Sequence, residues 1–466
     1  MYYYYYNGEQ PVVNNMNSTN LKSITITNLF GRNDVSLRFD KEVSIYIGEN
    51  GLGKTTILNC VYYVLTKKYD KLFSIVFDEI VVEFNNDENI YTINKNDIRE
   101  YNLSRMPSRH MIHQMDMFDY LISEYIDDSL LSLDDETIEM SIRRIARRID
   151  MPLPVIRQYV YDYINQGKGS TKNKRGNKKN VERLSDAIDK NITQKIIYFT
   201  TYRRIENDFS QLIEKGMVKD NDLLIRFGMK DVEESIERIL NLIRDNARES
   251  FNKMTGVLLK QYSSNNRKRK KPTRQIDQDM LKIIFDRLGN QIDEKDRSNI
   301  FKLLKNEQIY NEEYSYLLNL ILNLVDSYEK YKIYDDKIKN FADTCNKYLN
   351  GKKFEYNQSE LKLSIKMYND KLTDDNIQLS SLSSGEKQIV SLFSKLYLEN
   401  EKDSIIIIDE PELSISMKWQ KMLLPDVMRS ENCKLLLTVT HSPFIFDNEF
   451  DMDAKEMRHC ISSSRR

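Results

Sequence analysis

The chain has 466 residues, enough for two or three domains and a large buried core. Its 70 Lys+Arg against 71 Asp+Glu leave a formal net charge of -1, so it is no polycation that coats nucleic acid, and any such contact has to come from local patches. Only 14 Gly and 8 Pro argue against a turn-rich all-β fold, while four cysteines without C-x-x-C spacing and four histidines argue against a disulfide framework or zinc site.

Residues 1–20 open with a tyrosine run and Asn-rich text, which reads as a poorly ordered leader. No basic segment precedes an apolar stretch and no apolar run is long enough for a bilayer, so a soluble, cytoplasmic protein without a membrane segment is expected. Alternation from Lys22 to Phe39 predicts two strands with a turn at Gly31 to Asp34, and Val43 to Ile47 predicts a third. A Gly-rich loop follows, then helical spacing from Thr55 to Lys67. Further strands are expected at 73–84 and 90–93. After about residue 115 apolar residues recur at helical spacing, through 138–149, 232–251, 280–288 and 312–331. Two basic stretches without periodicity, 166–180 and 264–274, read as loops. A strand at Lys195 to Phe199, followed by T-Y-R-R-I-E, returns the chain to the α/β core. From Phe354 the pattern is strand-like again. It then runs loop, helix, the strand Ser404 to Asp409, helix, and the strand Lys434 to Thr440, which predicts a parallel sheet. The expected organisation is an α/β N-terminal lobe at 21–115, a helical insertion at 116–350 with a strand near 195–204 rejoining the lobe, and a C-terminal α/β lobe at 351–466.

Four segments carry chemistry. Gly48-Glu49-Asn50-Gly51-Leu52-Gly53-Lys54-Thr55, followed by Thr56, fits G-x-x-x-x-G-K-[ST] between a predicted strand and a predicted helix. Its glycines let backbone N–H groups wrap phosphates, Lys54 reaches the β/γ-phosphates and the Thr55 hydroxyl ligates Mg²⁺. The apolar strand ending in Asp409-Glu410 delivers two carboxylates to the sheet edge where ligands bind. Asp409 suits Mg²⁺, and Glu410 suits a general base on the attacking water. Leu382-Ser383-Ser384-Gly385-Glu386-Lys387-Gln388 opens a helix, either as a second anion site or as an ordinary N-cap. Thr440-His441-Ser442-Pro443 follows a strand, so His441 is set to meet the γ-phosphate or orient the water.

These four segments, in this order, resemble the ATP-binding-cassette-type ATPases of the structural-maintenance, RecF and Rad50 group. The resemblance covers the two chain ends, about half the length. It implies an α/β P-loop ATPase head built from both ends with a long helical, coiled-coil insertion between them, and ATP and Mg²⁺ as cofactors. In that group the signature serine reads the nucleotide of a partner subunit, so Ser383, Ser384 and Gly385 are expected to contact ATP across a head-to-tail homodimer. The text D-E-P-E-L-S-I-S-M-K-W-Q at 409–420, with T-Y-R-R-I-E and T-H-S-P-F-I, is similar to overcoming-lysogenization-defect-like ATPases, except that Ser416 stands where that pattern often has His. Among these it looks most like the ATPase subunits of PARIS-type anti-phage systems, with the Septu type next. That implies a sensor and scaffold that assembles as dimers into a larger ring, a hexamer. A separate nuclease, Toprim-type or HNH, is then the partner and a phage-encoded protein the trigger. The competing class is a RecF- or Rad50-like ATPase that clamps DNA.

The remaining features are weaker. Twenty-five residues follow His441, too few for the roughly fifty a small domain needs, so no fused nuclease is expected. Asp451 and Asp453 read as a solvated turn, and His110 and His113 as surface or core. The Arg267–Arg274 loop is either a solvated loop or a contact for nucleic acid or an acidic partner. Arg203 and Arg204 either couple nucleotide state to the insertion or form a structural salt bridge.

Overall fold

A computed structural model describes residues 19–105, 177–200, 229–264 and 276–463, less 50, 74, 290, 291, 370, 400–402 and 431, together with 139 and 142. The described residues form two compact units. One runs up to Ile196 and resumes at Lys455; the other runs from Ile197 to Ala454.

The first unit is built on an antiparallel sheet. Its strands are β1 (Leu21–Leu29), β2 (Asn33–Arg38), β4 (Glu79–Phe84), β5 (Asp87–Asn94) and β12 (Ile461–Ser463), in the order β12-β2-β1-β4-β5. A further strand, β3 (Val43–Ile47), leads into helix α1 (Lys54–Leu65). In β1 the alternation aims Ile24 and Ile26 at the core, opposite Leu37 and Val35 of β2, and all four are buried. The first hairpin turn falls at Phe30 to Arg32, starting one residue and ending two residues ahead of expectation, because Asn28, Phe30 and Gly31 take left-handed backbone. Helices α2 (Tyr69–Leu72), α3 (Lys95–Arg105) and α4 (Lys178–Asn191) complete the unit. Tyr69 is buried and its hydroxyl meets Ser185 at 3.0 Å, while Lys67 pairs with Asp189 at 2.5 Å. The carboxylate of Asp97, itself buried, accepts from the backbone N–H of Asn177 at 2.6 Å and from the Asn180 amide at 3.1 Å. The start of α3 and the start of α4 therefore meet at one buried carboxylate.

In the second unit, β10 (Ser404–Asp409) and β11 (Cys433–Thr440) pair in parallel, Ile405 beside Leu435 through Asp409 beside Val439. β10 is buried at every position, which is why it reads as an unbroken apolar run. Strand β6 (Lys195–Phe199) flanks β10. Three antiparallel strands, β7 (Lys352–Asn357), β8 (Lys362–Asn369) and β9 (Lys371–Ile377), form a separate small sheet. Helices α5 (Met229–Ser264), α6 (Gln278–Leu288), α7 (Glu294–Lys305), α8 (Ser315–Asn346), α9 (Ser384–Leu398) and α10 (Met417–Met428) complete the unit, and α5, α8 and α9 pack on one another. Leu281, Phe285, Ile309, Ile321 and Val325 centre a second core among α6, α7 and α8. A buried ion pair, Arg287 to Asp335 at 2.6 Å, ties α6 to α8. The Tyr356 hydroxyl also donates to Asp335, at 2.5 Å.

The sequence reading found β3, β6, β10 and β11 and the cores of α1, α5, α6, α8, α9 and α10. It passed over α7, which buries only Leu304 and so shows little periodicity, and β9, whose K-L-T-D-D-N-I does not alternate. The segments 138–149, 166–176 and 265–274, with His110, His113, Arg203, Arg204 and the Arg267–Arg274 loop, lie outside the described residues apart from 139 and 142. No helix among the described residues is long and apolar enough to cross a membrane.

Candidate active site

In the first unit the P-loop links β3 to α1. Gly51 and Gly53 take φ of 88° and 77°, backbone that glycine adopts at little cost and that points successive N–H groups to one side. Gly53 is also the N-cap of α1, so no side chain caps that end, and the first turn has no acidic residue. The positive end of the helix is thus offered to an anion. A Cβ on Gly53 would lie 2.5 Å from Cε2 of Phe30, so the ring packs directly on the loop. Phe30 itself is 44% exposed with φ of 58°. Lys54 is buried, and its ammonium donates to the carbonyls of Gly48 and Glu49, each at 3.0 Å. The Glu49 carboxylate pairs with Arg458 at 2.6 Å, and Met457 packs beside Gly48. Leu52, Thr55 and Thr56 occupy their expected places in loop and helix; Asn50 lies outside the described residues. Within α1, burial pushes the Cys60 thiol up to about 12, so it stays protonated at neutral pH.

In the second unit the Ser383 segment begins α9 with a capping box. The Ser383 hydroxyl accepts from the Glu386 N–H at 3.4 Å, and the Glu386 carboxylate accepts from the Ser383 N–H at 2.8 Å. Lys352 of β7 donates to the same carboxylate at 2.8 Å. Burial alone would raise the Glu386 carboxyl, but the bonds from Lys352 and Ser383 outweigh it and hold the group below its ordinary value. Ser383 and Ser384 are exposed, whereas Gly385 is buried. A Cβ on Gly385 would stand 2.3 Å from the carbonyl oxygen of Ser414, so the helix start touches the backbone of the loop that follows Glu410. Gly385 is glycine for that close approach.

Asp409 closes β10, 3% exposed, and shares a cavity of about 30 Å³ with Gln388, Leu392 and Pro411. The next residue, Glu410, takes φ of 50° while its N–H still bonds Val439 at 3.0 Å. This left-handed step is uncommon for a non-glycine residue and turns the chain out of the strand. His441 follows β11, and its Nε2 lies 3.4 Å from the Glu410 carboxylate. The two side chains are 28% and 25% exposed, so the pair is open to solvent at the carboxyl edge of parallel strands. Ser416 is the N-cap of α10 and accepts from Trp419 N–H at 3.4 Å.

The structure therefore brings Glu410 to His441, and Gly385 to the loop beyond Glu410, within the second unit; the P-loop residues belong to the first. Glu386 and Lys352 were missed as supports of the Ser383 turn, although S-x-x-E before an apolar helix is a readable capping signal. Glu412 and Gln420 were missed as well.

The family model described as an AAA ATPase domain, AAA_15, matches residues 20–446, nearly the whole chain. The chain belongs to this family. Its α/β ATPase fold class is the one its sequence implied. No curated protein matches. Among solved structures, an Smc head bound to the C-terminal winged-helix domain of ScpA is 11% identical. It covers 95% of this chain and 97% of its own length, with a TM-score of 0.34. An Smc head with an extended coiled coil from Pyrococcus furiosus, bound to the C-terminal domain of ScpA, is 13% identical over 95% and 96%, at 0.35. One with a coiled coil and joint from Pyrococcus yayanosii is 15% identical over 91% and 93%, at 0.32.

Proposed function

We propose that this AAA ATPase hydrolyses ATP and uses the cycle as a switch that binds and releases another protein. The observation that carries the reading is the Glu410–His441 pair at the carboxyl end of β10, in a chain with a complete P-loop. Backbone N–H groups of residues 48–55 bind the phosphates, and Lys54 exchanges its two loop carbonyls for phosphate oxygens. Glu410 takes the proton of the attacking water, and His441 orients that water or contacts the γ-phosphate. Thr55 and Asp409, a hydroxyl and a carboxylate, are the hard oxygen donors that suit Mg²⁺, which supplies charge neutralisation at the phosphates. The chain ends, 21–115 and 351–466, form the ATPase head together with a returning strand near 195–204, and the helices described between 229 and 346 carry the signal. Two heads close in a head-to-tail homodimer, with Ser383, Ser384 and Gly385 on the nucleotide held by the partner's Lys54; dimers then join in a hexamer.

The output we favour is control of a separate effector nuclease, Toprim-type or HNH, in a cytoplasmic anti-phage complex triggered by a phage protein. The text at 409–420 and T-H-S-P-F-I support it by resemblance. The test is affinity capture of the tagged chain from its host with ATP present, read by mass spectrometry, beside ATPase assays with and without duplex DNA. A co-purifying nuclease is the expected result. Recovery of repair factors without a nuclease, with ATPase activity that DNA stimulates in a salt-sensitive way, would replace this output by the RecF- or Rad50-like one.

A further inference from the structure

Beyond the Glu410–His441 pair, the strand-end loop holds a third acid, Glu412. Its two carboxylate oxygens are both engaged, and both reach the segment that carries His441. Oε1 accepts from the backbone N–H of His441 at 2.6 Å, and Oε2 accepts from the hydroxyl of Thr440, a fully buried residue, at 2.9 Å. Hydrogen bonds to an ionised acceptor are about twice as strong as neutral ones, so this is a firm two-point grip on the end of β11. The grip is itself anchored. The Ser442 hydroxyl donates to Oε1 of Gln420 at 2.6 Å, and the Gln420 amide donates to the carbonyls of Ile415 at 3.2 Å and Glu412 at 3.4 Å. The circuit closes, with Gln420 buried in α10 as its fixed point. Inside it the His441 imidazole stands 3.4 Å from Glu410, whose own backbone is bent at φ of 50°. The Glu412 carboxylate holds the main chain from which the imidazole projects.

We infer that Glu412 is a positioning residue for hydrolysis: it holds the backbone at Thr440 and His441 so that the imidazole meets Glu410. The inference rests on the reading of Glu410 and His441 as the hydrolytic pair. A small displacement of a reacting group costs up to about 100-fold in rate, which sets the size of the effect sought. Glu412→Ala loses both bonds. Glu412→Gln keeps the length, lets its oxygen accept from the His441 N–H, and lets its amide donate to the Thr440 hydroxyl.

The experiment measures kcat and KM for ATP, nucleotide affinity and thermal unfolding in the full chain. The variants are Glu412→Ala, Glu412→Gln, His441→Ala and the Glu412→Ala/His441→Ala double. The expected result is a kcat about 10- to 100-fold lower in Glu412→Ala with KM and nucleotide affinity unchanged, recovered in large part by Glu412→Gln. The double variant should turn over no more slowly than His441→Ala alone, because Glu412 acts only through that residue. Multiplying losses in the double variant, or normal kcat in Glu412→Ala, overturns the inference while leaving the hydrolytic pair intact. If Glu412→Ala does not fold, Glu412→Gln decides: turnover as low as that of His441→Ala rejects the positioning role. Normal turnover in His441→Ala would sink the pair and this inference with it.

Discussion

At Glu410 a non-glycine residue sits at φ of 50°, a conformation that costs on the order of 1–2 kcal/mol. Strain of this kind persists where surrounding structure over-determines it, and here the Val439 bond on one side and His441 on the other do so. Glu410→Gln keeps the shape and loses the base, so kcat should fall by about 10²- to 10⁴-fold while ATP still binds. Single-turnover assays with labelled ATP check this, and undiminished turnover would move the general base elsewhere. Glu386 makes a second residue-scale prediction. Its folded carboxyl lies below the ordinary value of 4.5, so its contribution is present above that pH and is lost as pH falls through the lower, folded value. Glu386→Gln should be less stable than the parent by about 2 kcal/mol at pH 7, and thermal melts should show the gap closing below pH 4.5. A gap constant from pH 7 to pH 3 would mean that the Lys352 pair adds nothing. Lys54, Asp409, Glu410 and His441 were legible because each sits at a fixed offset from a strand end. Glu412 and Lys352 were not, because their partners, His441 and Glu386, are far along the chain and spacing says nothing about which carboxylate meets which donor.

Elements were legible in proportion to how one-sided their burial is. β10, buried at every position, and α1, with Ile57, Val61 and Val64 on one face, announce themselves. Helix α4 did not, since its start lies in lysine-rich text that reads as loop, yet Val181, Leu184 and Ile188 bury one face. The start of α9 has a requirement that no periodicity shows, the contact of Gly385 with the Ser414 carbonyl. Backbone cannot swing aside as a side chain tip can, so Gly385→Ala should cost about 1–3 kcal/mol and shift the Glu410–Ser416 turn. Melting temperature and kcat should therefore fall together. If both hold at parent values, the turn is not braced by the helix.

For the whole molecule the decisive question is whether one subunit completes the site of another. Ser383→Arg should bind ATP but not hydrolyse it, and Lys54→Ala should do neither. Mixed, the two restore turnover if Ser383 of one subunit serves Lys54 of the other, since some pairings then carry one intact composite site. No recovery on mixing, with each variant folded, would place both residues in a self-contained site. The two-unit division could not be read from sequence, because Ile196 and Lys455 mark no break in composition.

The carboxylate of Asp97 carries one more consequence. Because it binds Asn177 directly, the start of α4 is stapled to the start of α3, ahead of the point where the chain leaves that helix at Arg105. Chain added after Arg105 and before Asn177 leaves that staple in place, and doubling a loop costs only about 0.6 kcal/mol in closure entropy. The junction is a graft site: evolution, or an engineer placing a reporter there, can lengthen the excursion without re-solving the fold of the unit that carries the P-loop.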